Sequence, residues 1–173
     1  IFGLASGSSI LNAQYWGKGE LEPIKVIISM VVKVAMAVAL LLTVLVLCFP
    51  ETVMRIYTTD AEVIESGIAY LKIVGWSYLM FGISSTLLCT LRSVALVRIA
   101  VVNSVTGLFT NVFLNWVFIF GKLGAPAMGI RGAALATLIA RSVELLLVLA
   151  YIFFIDQRLK LRPRDLFRFD SVL

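Results

Sequence analysis

The sequence predicts an all-α fold, a polytopic bundle of transmembrane helices with five spans, and three observations carry that prediction. First, 61% of the 173 residues are hydrophobic, only 14% are charged and none is histidine. The mean hydropathy of +1.02 lies well above that of water-soluble domains. Second, the apolar residues gather in runs near the roughly 20 residues that a helix needs to cross a bilayer. The four prolines, at positions 23, 50, 126 and 163, fall in the predicted connections or tail. Third, the basic residues cluster at the ends of the runs rather than along them.

The spans are placed at 1–16, 24–49, 63–91, 99–121 and 132–154. The first is the tail of a helix: the chain opens on Ile1 inside an apolar run with no charged n-region or cleavage motif. That is unlike a signal peptide and predicts a piece whose true N-terminus lies upstream. Between the second and third spans, PETVMRIYTTDAEVIE is amphipathic and polar enough for the outer surface, with Thr59 or Asp60 as cap of the third span. The fourth and fifth spans are joined by an elbow, KLGAPAMGIRG.

Alternating spans bring the ends 17–25, 92–98 and 156–173 to one side, where nine basic residues collect: Lys18, Lys25, Arg92, Arg98, Arg158, Lys160, Arg162, Arg164 and Arg168. The opposite ends hold Arg55, Lys122 and Arg131 among Glu51, Asp60, Glu62 and Glu65. The bias places the basic side in the cytoplasm. It also explains the net charge of +5 without a nucleic-acid partner. The tail 156–173 (DQRLKLRPRDLFRFDSVL) suits an interfacial helix on anionic lipid or, as favoured here, a linker to further domains. Cys48 and Cys89 stand apart in apolar surroundings, which predicts packing residues rather than a disulfide or metal site.

The candidate site lies on the fourth span. Asn103, Gly107, Asn111 and Asn115 recur every four residues, with Thr106 and Thr110 beside them, on an otherwise apolar helix. Such a stripe faces other protein or a wet cavity. Asn111 and Asn115 either hydrogen-bond between helices, at ~1 kcal/mol each, or line a transport path. Thr137 sits in the small-residue face Gly132, Ala133, Ala136 and Ala140, where close helix packing is the first expectation and cavity lining the second. Gly3 and Gly7 give the same packing signal. Gln14 closes the first span beside Gly17 and Gly19, as a helix-end cap or a substrate contact.

Arg141 and Glu144 are an i, i+3 pair. Arg141 lies ten residues beyond Arg131, about 15 Å deep at the helical rise. A charge there is costly unless paired or wet. Either the two neutralise each other against protein, or Glu144 is a protonatable carboxylate near the path. Phe113, Trp116, Phe118 and Phe120 face lipid or pack, and one or two of them offer a ring face to a flat cation.

Several ordered motifs then carry a resemblance. They are AQYWGKG (13–19), FPE (49–51), YLKI (70–73), LRS (91–93), Asn111 with Leu114-Asn115, Gly121, and PAMGIRGAALAT (126–137). In this order and spacing the chain resembles the multidrug and toxic compound extrusion (MATE) transporters of the MOP superfamily, matching about helices two to six of the N-terminal lobe. The resemblance implies twelve helices in two lobes and export of organic cations in exchange for H+ or Na+ by alternating access. It also implies the plasma membrane as location, no other cofactor, and partners limited to the cation, the lipid bilayer and a C-terminal lobe beyond residues 156–173. Polar groups on this helix belong to the family's cavity, which points Asn111 and Asn115 the same way. Two departures stand out. Where the family's turn after Leu-Arg carries Gly and then Pro, this chain has Ala95 and Ala100, which predicts a stiffer or more helical turn. The family's first helix, with its acidic coupling residue, has no counterpart here.

The leading reading is therefore a secondary active antiporter. The runner-up is a flippase of the same superfamily moving lipid-linked oligosaccharide, which needs a basic cavity; the spans 1–16 and 99–121 lack lysine and arginine. An intramembrane hydrolase needs Ser with His, paired Asp or metal ligands, and the absence of histidine and of facing acidic pairs argues against an enzyme. A purely structural membrane protein gives no reason for three asparagines in register.

Overall fold

The computed structural model describes residues 2–155; the basic tail 156–173, read above as a linker, lies outside the described residues. Among the described residues the chain is a bundle of seven α-helices with no strand. Helix α1 (Phe2–Lys18) ends where Gly19 takes φ 75°, and the freed carbonyls of Tyr15 and Trp16 accept from the N–H groups of Glu20 and Gly19 at 3.0 and 3.1 Å. Helix α2 (Leu21–Cys48) follows at once. Pro23, expected ahead of the span, sits in its first turn, where its missing N–H has no intrahelical partner to lose.

The connection between α2 and the third span, expected at the outer surface, is itself partly helical. Pro50 opens α3 (Pro50–Tyr57), and Glu51 and Arg55 pair at 2.7 Å across one turn. Asp60 caps α4 (Ala61–Val74) by accepting from the Glu62 N–H at 3.0 Å. The predicted third span is two helices, α4 and α5 (Ser77–Ser93), bent by 52°. The break forms at Gly75, a weak helix former, and the carbonyls there find side-chain donors. Ser77 Oγ donates to Val74 O at 2.7 Å, and Thr43 Oγ1 of α2 donates to Gly75 O at 3.1 Å. After α5 the chain turns through Ala95 at φ 62°, with Leu96 N donating to Leu91 O at 2.9 Å. The turn is thus not more helical, as the alanine suggested; the alanine occupies the left-handed region that glycine adopts freely.

Helix α6 (Val97–Phe120) ends at Gly121, φ 65°, and the elbow leads to α7 (Ile130–Ala150), prolonged by a π-helical turn, Tyr151–Ile155. By length and composition α2, α6 and α7 with its extension can each cross a bilayer, as can the bent α4–α5 pair taken as one span; α1 has 17 described residues.

An apolar core ties α2, α5 and α7 together near the basic ends. Ile24, Ile28 and Val32 of α2 recur every four residues and pack with Leu87 and Leu91, Val94, and Val148 and Ile152. Helices α6 and α7 approach closely at Gly132, where a Cβ would lie 2.6 Å from Phe118 O; Ala136 and Ala140, at the same spacing along α7, are also buried. Gly3 and Gly7, read as packing glycines, are instead exposed with no described neighbour. Cys48 is exposed rather than packed, and Cys89 donates to Ala5 O at 3.3 Å.

Candidate functional site

Two asparagines of the α6 stripe, Asn111 and Asn115, lie on its α7 side. Asn115 Nδ2 donates to Asn111 Oδ1 at 2.9 Å, Asn111 Nδ2 reaches Thr137 Oγ1 at 3.5 Å, and Thr137 Oγ1 donates to Ala133 O at 3.0 Å. The middle contact is at the outer limit of a hydrogen bond, so the two helices are joined loosely there. Asn115 Oδ1 is buried and accepts nothing among the described residues. Asn111, Asn115 and Thr137 thus form one cluster in the half of the α6–α7 seam nearer the elbow.

Nearer the basic ends lies a second cluster. Arg141 Nη1 bonds Glu144 Oε2 at 2.7 Å, and the Arg141 guanidinium carbon stands 4.8 Å from the ring centre of Phe81 on α5. Glu144 fits against α6 only because residue 107 is glycine: a Cβ there would overlap the Glu144 carboxylate. Asn103 is 1% exposed, and neither atom of its amide has a partner among the described residues. Asn103, Arg141 and Glu144 all line a cavity of 380 Å³ together with Phe81, Ser84, Ser85 and Arg92. A buried, unsatisfied amide beside other polar side chains is where water or a ligand binds. The charge balance of this lining is two arginines to one glutamate.

Gln14 stands apart from both clusters. The turn it was expected to cap is closed by backbone bonds, and its exposed side chain lines a separate groove with Ser9, Ala13, Cys89, Arg92 and Ser93. Cys89 and Arg92 border both spaces, so the groove and the cavity adjoin. Of the span-four aromatics, Phe113, Trp116 and Phe120 are exposed, whereas Phe118 lies against Gly132.

Sequence reasoning passed over Asn12, which is fully buried with both amide atoms unpartnered among the described residues. Its signal was the spacing of Ala5, Ser8 and Asn12, a small and polar face on α1. Phe81 and Arg92 were also missed as site residues, because only folding brings α5 beside α7. No group of three acidic, cysteine or histidine side chains gathers as a metal site among the described residues.

The family model described as MatE matches residues 1–117. A probable multidrug resistance protein NorM of Thermotoga maritima is 37% identical over 105 residues, covering 60% of this chain and 22% of the relative. A multidrug resistance protein NorM of Vibrio vulnificus is 37% identical over 93 residues, covering 54% and 20%. The chain therefore spans about a fifth of the length of these relatives. The solved inward-facing conformation of a multidrug resistance MATE family transporter of the MOP superfamily superposes with a TM-score of 0.84 at 23% identity, over 94% of this chain and 36% of that one. An outward-facing one gives 0.81 at 24%, over 95% and 36%. At these identities the likeness is one of fold.

Proposed function

The chain belongs to the MatE family, and on that premise we propose that it forms part of a secondary active antiporter exporting organic cations in exchange for H+ or Na+ across the plasma membrane. The observation that carries the reading is the α6–α7 seam. Two asparagines, a threonine and an Arg–Glu pair sit along helices that are otherwise apolar enough for lipid, and Asn103 borders the cavity beside them. Desolvating these groups in a membrane is costly, and packing alone needs none of them. Asn115 Oδ1, buried without a donor, offers an acceptor to a cation or a hydrated proton. Glu144 supplies the negative charge that a cationic substrate requires, and Thr137 and Asn111 fix the orientation of the Asn115 amide. Movement then needs a second lobe, consistent with a chain covering 36% of its structural relatives, so that the site opens to each side in turn. No step calls for covalent catalysis.

The test reconstitutes the full-length transporter carrying this chain in vesicles and follows ethidium under an imposed proton gradient, then a sodium gradient. Gradient-driven movement that falls at least tenfold in Asn115→Ala supports the reading. Movement unchanged by that substitution reduces Asn115 to packing, and no movement under either gradient sinks the antiporter.

One observation favours a second reading. A lipid-linked oligosaccharide flippase needs a basic cavity, and although spans 1–16 and 99–121 lack basic residues, Arg92 of α5 and Arg141 of α7 both line the 380 Å³ cavity. Translocation of a lipid pyrophosphate in the same vesicles, without ethidium movement, would select the flippase.

A further inference from the structure

One arrangement in the cavity brings a cation, a carboxylate and an aromatic ring together. The Arg141 guanidinium lies 4.8 Å from the Phe81 ring centre and 2.7 Å from the Glu144 carboxylate. An aromatic face and a carboxylate are the two contacts by which proteins hold a planar organic cation. Arg141 therefore occupies, from within the chain, the position a free cation would take.

The parts of this arrangement differ in how firmly they are fixed. The Glu144 side chain is 13% exposed and is held in the notch that Gly107 leaves in α6. The Arg141 side chain is 37% exposed, on a long stem that can swing its head into the open part of the cavity. The carboxylate and the ring are the walls, and the guanidinium is the movable piece. Asn103 adds a buried amide with no partner among the described residues, bordering the same space, which Ser84 and Ser85 also line. At 380 Å³ the cavity has the size of a small-ligand pocket.

The geometry points to a binding site for a planar monovalent organic cation bearing N–H groups, built from Glu144, Phe81 and Asn103, in which Arg141 is a tethered plug that the ligand displaces. This rests on the export reading above and names the site at which the cation is held. Self-occupation has two consequences. Apparent affinity is lowered by the fraction of time Arg141 fills the site, and its return helps eject the ligand. Selectivity also follows, because a ligand must match what it replaces: flat, positively charged and able to donate to Glu144.

The experiment measures ethidium binding to the detergent-purified full-length protein by fluorescence anisotropy. Arg141→Gln removes the internal competitor, and ethidium is expected to bind roughly 10-fold more tightly. Adding Glu144→Gln to that variant is expected to abolish the gain. Folded Arg141→Gln protein with unchanged or weaker affinity overturns the inference. Should that variant not fold, Arg141→Lys keeps the charge pair but stacks poorly on Phe81. An affinity gain of about two- to fivefold is then expected, and no gain overturns the inference. The two readings separate cleanly. Tighter binding in the Arg141 variant without gradient-driven ethidium movement by the unmodified protein keeps the site and sinks the antiporter. Movement with no tightening sinks the plug alone.

Discussion

Replacing Gly107 by alanine tests the α6–α7 seam most directly, because its effect should change sign with the residue opposite. In the unaltered protein a Cβ at 107 overlaps the Glu144 carboxylate and would lie 2.6 Å from Cδ and 2.7 Å from Cγ. The carboxylate must leave, which breaks its 2.7 Å bond to Arg141. Breaking a buried pair so that one charge is left uncompensated costs about 3–5 kcal/mol. With the Arg141 side chain 37% exposed and partly screened, the lower end applies, about 3 kcal/mol. Against this, alanine is favoured over glycine in a helix by about 1 kcal/mol. The net expectation for Gly107→Ala is a loss of about 2 kcal/mol. In a Glu144→Ala background the obstacle is gone, and the same substitution should instead stabilise by about 1 kcal/mol. Denaturation in mixed micelles of the four proteins of this cycle gives both numbers. Equal effects of Gly107→Ala in the two backgrounds would refute the fit of Glu144 into the notch.

Two further predictions concern the backbone. Ala95 holds φ 62°, a conformation that costs a non-glycine residue roughly 1–2 kcal/mol. Ala95→Gly should therefore raise the melting temperature in detergent, by the equivalent of about 1 kcal/mol after the greater unfolded freedom of glycine is counted; a lowered value would show that the turn is not strained. Thr43→Val removes the donor that serves the Gly75 carbonyl in the bend while keeping the side chain's shape. The expected loss is about 1–3 kcal/mol for an unsatisfied buried acceptor, read by the same denaturation, and no loss would mean that the carbonyl finds another donor.

Helix type and the close-packing face of α7 were legible because each rests on local pattern: apolar runs of bilayer length, and Gly132, Ala136 and Ala140 at four-residue spacing; that α6 is the helix which takes that face was not. Nor was the bend in the third span. Gly75 interrupts no apolar pattern, and the hydroxyl that satisfies its carbonyl comes from Thr43, 32 residues away in the chain. Pro23 misled for the opposite reason, since a proline marks a boundary only where an N–H is needed, and the first turn needs none. At the site, the asparagine stripe and the Arg141–Glu144 pair could be read from spacing on single helices. Their division into a cluster with Thr137 nearer the elbow and another with Phe81 could not, because it depends on which α5 residues lie across from α7. Gly107 was visible as a stripe member, but its role waits on the side chain that enters its notch. Gly3 and Gly7 show the converse: a small-residue signal names a surface that permits close approach, not a neighbour that takes it.

The bend between α4 and α5 also bears on how the protein meets bilayers of different thickness. The two segments, of 14 and 17 residues, are about 21 and 26 Å long. Neither alone matches a hydrocarbon layer of about 30 Å. A straight rod accommodates a thinner or thicker membrane only by tilting as a whole and dragging its contacts with it. Here the mismatch can be absorbed by flexing at one joint whose polar groups are already capped from the side. Because α4 packs against α7 as α5 does, a lean of α4 is passed to that end of α7, so a change in lipid chain length should be felt along the α4–α7 contact before it reaches the Arg141–Glu144 pair.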